Sequence, residues 1–89
     1  MAGDETVVLA SLEYANSLTY QGFKAFKHDR EEWLGTLRNS AGYYERILSG
    51  ELDDHDRAYI EDALKTTNNE IDNTVELLSR LEYNPKLDQ

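Results

Sequence analysis

A seven-residue apolar repeat near the C-terminus constrains this chain more than any other feature. Ile60, Leu64, Thr67, Ile71, Thr74, Leu78 and Leu81 succeed one another at alternating steps of four and three residues. Side chains return to one face of an α-helix every three to four residues, whereas a strand alternates with period two, so this spacing describes a helix with one continuous apolar stripe. Leu52-Asp53-Asp54 offers an acidic N-cap after an apolar residue, and Asn84-Pro85 ends the helix because the residue before proline is pushed out of the α region. The expected helix is about 54–83, followed by a short disordered tail at 84–89. Thr66-Thr67-Asn68-Asn69 are poor helix formers, and Thr67 and Glu70 have capping-box spacing. The repeat nevertheless keeps its phase across them, which predicts one unbroken helix. Thr67 and Thr74 at core positions either fix helix register or bond back to the preceding turn's carbonyls.

Such a stripe needs partner helices to cover it, and the rest of the chain supplies two. In the middle segment Leu34, Leu37, Ala41, Tyr44 and Leu48 repeat at steps of three and four. Asp29 followed by Glu32 reads as a capping box and Ser49-Gly50 as a stop, predicting a helix over about 30–49. Gly35 and Gly42, a heptad apart, each weaken that helix by about 1 kcal/mol relative to alanine and are expected to mark a close helix approach. The first segment presents Val8, Leu12, Ala15, Thr19, Gly22 and Phe26 with the same rhythm, predicting a helix over about 5–27. Gly22 reads either as a left-handed stop or as a mid-helix residue beneath a crossing neighbour.

The expected architecture is therefore all-α: an antiparallel up-down-up three-helix bundle with a long C-terminal helix, one domain over residues 1–89. At 1.5 Å per residue the third helix would be about 45 Å long and the second about 30 Å. Leu78 and Leu81 would then overhang, covered either by the first helix or by another subunit. A homo-oligomer formed through the C-terminal helix is the expectation that follows.

Charge and composition bear on function chiefly by exclusion. The net charge is -9, and residues 51–89 hold eleven acids against four bases. Contacts to a phosphate backbone depend on Lys and Arg, so direct nucleic-acid binding is not expected, and the acidity favours basic partners or simply serves solubility. The chain has no cysteine, which removes disulfides, thiolate nucleophiles and the usual structural zinc sites. No membrane-spanning or targeting segment is visible, and a cytoplasmic location is expected.

No residue pattern points to catalysis, and no cofactor is implied. Glu51, Asp53, Asp54, His55 and Asp56 form a dense polar cluster without the glycine and alternating spacing of a calcium loop. Acids at a helix N-terminus are stabilised by the helix dipole and free amides, which accounts for the cluster without a metal. His28 beside Asp29 lacks a nearby nucleophile and an oxyanion turn. Ala15, Leu18, Gly22 and Phe23 have a spacing that resembles the first half of a tetratricopeptide repeat, but the alanine due in the second helix is absent and no second copy follows.

Aromatic side chains carry the functional expectation. The chain has six tyrosines, two phenylalanines and one tryptophan, more than so small a core needs. Trp33, Tyr43, Tyr20 and Phe23 are the candidate anchors of a protein interface, since large rigid side chains with one polar handle dominate binding energy. The leading expectation is a non-enzymatic binding protein, a small regulator or inhibitor that docks an aromatic and acidic surface on a partner protein. A second reading is an oligomer that sequesters a nucleotide-like molecule, with Tyr20, Phe23 and Phe26 stacking on a ring while Lys24 and Lys27 meet a phosphate. A third is mimicry of DNA by Asp62, Asp72 and Glu76 on the acidic helix, directed at a nucleic-acid-binding protein.

Overall fold

The structure is a computed structural model and describes residues 2–83. Three helices follow in order, α1 (Ala2–Ser17), α2 (Tyr20–Leu48) and α3 (Asp54–Glu82), packed as an up-down-up bundle with α2 against α3 as its most extensive interface. The stop at Asn84-Pro85 and the tail 84–89 lie outside the described residues.

α3 forms as its repeat requires. Asp53 has extended backbone, with ψ 167°, and its carboxylate accepts the Asp56 amide at 2.7 Å, satisfying one of the free amides of the first turn. The helix runs unbroken through Thr66-Thr67-Asn68-Asn69. The Thr67 hydroxyl donates to the Ala63 carbonyl at 2.9 Å and that of Thr74 to Glu70 at 2.8 Å, so both core threonines satisfy their hydroxyls within their own helix.

The boundary between the first two helices lies ten residues earlier than the spacing predicts. Thr19, not Asp29, is the N-cap of α2: its backbone is extended, with ψ 166°, and its hydroxyl accepts the Gly22 amide at 3.1 Å. Gly22 is neither a left-handed stop nor a mid-helix crossing point but a first-turn residue of α2. Asp29 then lies inside the helix, where an aspartate costs only about 0.7 kcal/mol relative to alanine. Glu32, the other half of the expected capping box, instead approaches His28 one turn away at 3.0 Å. With no proline or glycine between Phe23 and Leu34, nothing stops the helix there.

Moving that boundary removes the expected overhang. α2 and α3 are both 29 residues long and match end to end. Leu81 is fully buried, in a cluster with Val8, Ala15, Phe23 and Leu77, and Leu78, Leu12 and Phe26 pack against it. The leucines that suggested a subunit contact are thus covered from within the chain. The expected close approach at Gly35 and Gly42 is also absent, since both are exposed and a Cβ added to either meets nothing within 4 Å.

α1 has 16 residues, about 24 Å of helix against about 43 Å for its neighbours. It covers the end of the hairpin at which α2 begins and α3 ends, leaving the other end as a two-helix arm closed by residues 49–53. Arg57 fastens that closure by donating to the carbonyls of Leu48 at 3.2 Å and Gly50 at 3.3 Å. The molecule measures 54 × 25 × 16 Å, and its radius of gyration of 16.1 Å exceeds the roughly 12 Å of a compact chain of this length.

Candidate functional site

Two regions of the bundle hold the side chains that bear on function. The first is the two-helix arm. Tyr43 on α2 and Tyr59 on α3 are 60% and 72% exposed, and Tyr43 leans towards the half-buried Tyr44 with ring centroids 6.1 Å apart. Glu51, Asp53, Asp54, Asp56, Glu61 and Asp62 are all exposed on the same arm. Arg57 is the one Lys or Arg between residues 51 and 64, and its guanidinium is turned back onto the connection between α2 and α3. The arm consequently presents more acids than bases, with Arg46 and Lys65 as the exposed cations flanking that set, and two open tyrosine rings.

Within that acidic set, ligand atoms of Asp53, His55 and Asp56 lie within 4.8 Å of one another. All three side chains are exposed, and the Asp53 carboxylate already accepts the Asp56 amide. N-capping accounts for this arrangement.

The second region is a cleft of about 390 Å³ where the three helices meet. α1 contributes Val7, Val8 and Ser11, α2 contributes Phe26, Arg30 and Trp33, and α3 contributes Glu70, Asn73, Thr74 and Leu77. Phe26, Arg30 and Trp33 follow steps of four and three, so one face of α2 brings all three to the cleft. The Arg30 guanidinium lies over the Phe26 ring at 5.8 Å, and its Nε is buried with no hydrogen-bond partner among the described residues. Trp33 stands at the mouth of the cleft, 39% exposed.

The candidate residues named from sequence divide between these places and the core. Trp33 and Tyr43 are accessible, on different parts of α2. Tyr20 is half-buried beneath Lys24, whose ammonium sits 4.7 Å from its ring centroid. Phe23 is fully buried and belongs to the core, which takes it out of any surface set: its position in the first turn of α2 points it between α1 and α3. Of the expected ligand patch of Tyr20, Phe23, Lys24, Phe26 and Lys27, Phe23 lies in the core and Phe26 lines this cleft. Asp62, Asp72 and Glu76 are all exposed, but Asp62 lies ten residues, about 15 Å, from Asp72. Glu76 is paired with Arg80 at 2.9 Å, which blunts a phosphate-like row further.

Arg30, Val7 and Leu77 were not among the candidate functional residues named from sequence, and Val8 was read only as part of the apolar stripe of the first helix. Arg30 carries a legible signal, its place in the Phe26-Arg30-Trp33 stride, although that stride acquires meaning once α1 is known to lie against it. Among the described residues no helix is long and apolar enough to cross a membrane. The chain matches no family model, no curated protein and no solved structure.

Proposed function

We propose that this chain is a non-enzymatic helical binding protein, a small regulator or inhibitor that docks its two-helix arm on a basic surface of a partner protein. The observation that carries this reading is the exposure of six acids around the N-terminus of α3, where Arg57 is turned inward and Arg46 and Lys65 alone flank them as Lys or Arg, leaving an acidic excess. Complementary charge raises the rate of encounter and orients the partner. Tyr43 and Tyr59 then supply rigid area for the short-range contact, with a hydroxyl left for a hydrogen bond. Because both rings are open to solvent, truncating them costs the fold little.

Affinity capture with the purified chain tests the reading, comparing wild type with the double variant Tyr43→Ala, Tyr59→Ala at low and high salt. A partner retained by wild type is expected to be lost by the double variant, with thermal melting little changed, and to be released as ionic strength rises. Retention that ignores both the tyrosines and the salt would overturn it.

A further inference from the structure

We infer that the cleft between α1, α2 and α3 is a binding site for a small amphipathic monocarboxylate, an apolar or planar body carrying a single carboxylate. The inference goes beyond docking by the arm and uses different residues. Val7, Val8, Phe26, Trp33 and Leu77 wall the space with aliphatic and aromatic surface, and its volume of about 390 Å³ falls within the range of small-molecule sites. A pocket of that kind takes an apolar body; its polar groups decide which one.

Arg30 is the cation of the cleft, and the lack of an ion-pair partner for its guanidinium among apolar walls is what points to a ligand. Nε is packed away from solvent, so the terminal nitrogens are the donors a ligand meets. The lining acid, Glu70, makes no ion pair with it, and Arg30 has no other carboxylate within 4.0 Å among the described residues. Its contact is instead with the Phe26 ring, which holds the guanidinium plane beside an apolar surface. The two terminal nitrogens of a guanidinium form a planar fork that matches the two oxygens of a carboxylate. A carboxylate in the cleft pairs with that fork while the rest of the ligand lies against Phe26 and Trp33.

Charge arithmetic selects a monoanion. The cleft offers one cation, and Glu70 stands in the same lining. A phosphate monoester, with a charge near -2 at neutral pH, would be left half neutralised by Arg30 and repelled by Glu70 about twice as strongly as a carboxylate. Asn73 and Ser11 remain as neutral hydrogen-bonding groups for a polar substituent on the ligand body.

Trp33 is the sole tryptophan of the chain, so its emission reports on the cleft directly. The test titrates the full chain with 3-phenylpropionate, with its uncharged counterpart 3-phenylpropanamide, and with phenyl phosphate. The acid is expected to change Trp33 emission saturably with Kd of about 1 mM or tighter, as an efficient ligand of its size allows. The amide and the phosphate are each expected to bind at least tenfold more weakly. Arg30→Gln should bring the acid down to the level of the amide, and Arg30→Lys, which keeps the charge but loses the planar fork, should recover only part of the difference. If acid and amide bind alike, the cleft is an apolar slot and the inference fails. It fails equally if phenyl phosphate binds best or if none of the three saturates. The comparison of the three ligands on the unaltered protein decides the matter even where a variant does not fold.

Discussion

A glycine inside a helix is a cost that some other contact usually explains, and the three helical glycines of α2 divide on that question. At Gly35 and Gly42 an added Cβ meets nothing within 4 Å, so neither glycine makes room for a neighbour. At Gly22 the same atom would lie 3.3 Å from Thr19 Oγ1 and 3.4 Å from Leu18 Cβ. Thr19 Oγ1 is also the acceptor of the Gly22 amide and has little freedom to withdraw. Gly42→Ala and Gly35→Ala are therefore expected to stabilise the protein by about 0.5–1 kcal/mol each, through the helix propensity they restore. Gly22→Ala is expected to destabilise it, by up to the ~1 kcal/mol that the cap contributes. Urea midpoints at unchanged slope would read the opposite signs. The glycines also mark a limit of sequence reading: Gly35 and Gly42 stand a heptad apart, as helix-crossing residues do, yet their face of α2 looks out to solvent.

At the scale of elements, α3 and the closure of the hairpin were legible because local and periodic signals agree there. The cap at Asp53, the stop at Ser49-Gly50 and the stripe from Ile60 to Leu81 point to the same helix ends. The junction of α1 and α2 was not legible because the apolar rhythm runs from Val8 through Phe26 without a change of phase, while the chain breaks at Leu18-Thr19. Asp29 and Glu32 add a capping-box pattern in the wrong place. Leu77 was missed because the heptad steps from Thr74 to Leu78, whereas Leu77, one turn before Leu81, joins it in the cluster with Val8 and Ala15 of α1. A pair of substitutions separates a true cap from a sequence that resembles one. Asp53→Ala removes the acceptor for the Asp56 amide and is expected to cost about 1 kcal/mol. Asp29→Ala, inside α2, exchanges a poor helix former for the best one and is expected to stabilise by a few tenths of a kcal/mol. Chemical denaturation of the two variants side by side gives the order directly, and equal costs would restore the boundary at Asp29.

Across the whole molecule, the uneven reach of α1 gives the bundle two halves of different character. Where α1 lies, Val8, Ala15, Phe23, Leu77 and Leu81 form a three-helix core whose members are at most 5% exposed. In the arm, Ala41 is buried, but the larger side chains of the two facing stripes, Tyr44, Leu48, Ile60 and Leu64, are each half-buried. Opening free energy follows buried apolar contact, so the halves should differ in how often their amides meet solvent. Native-state hydrogen exchange is expected to find the slowest amides around Phe23 to Trp33 and Glu70 to Leu81, and faster exchange at residues 41–48 and 54–64 despite helices of equal length. The same measurement addresses association. Two chains with a net charge of -9 repel each other, which favours a basic protein over a second copy as the cover for the arm. Protection at 41–48 and 54–64 should then stay constant as the protein concentration rises and increase on adding a basic partner. Protection that climbs with concentration alone would place a second copy on the arm and leave the acids there without the role proposed for them.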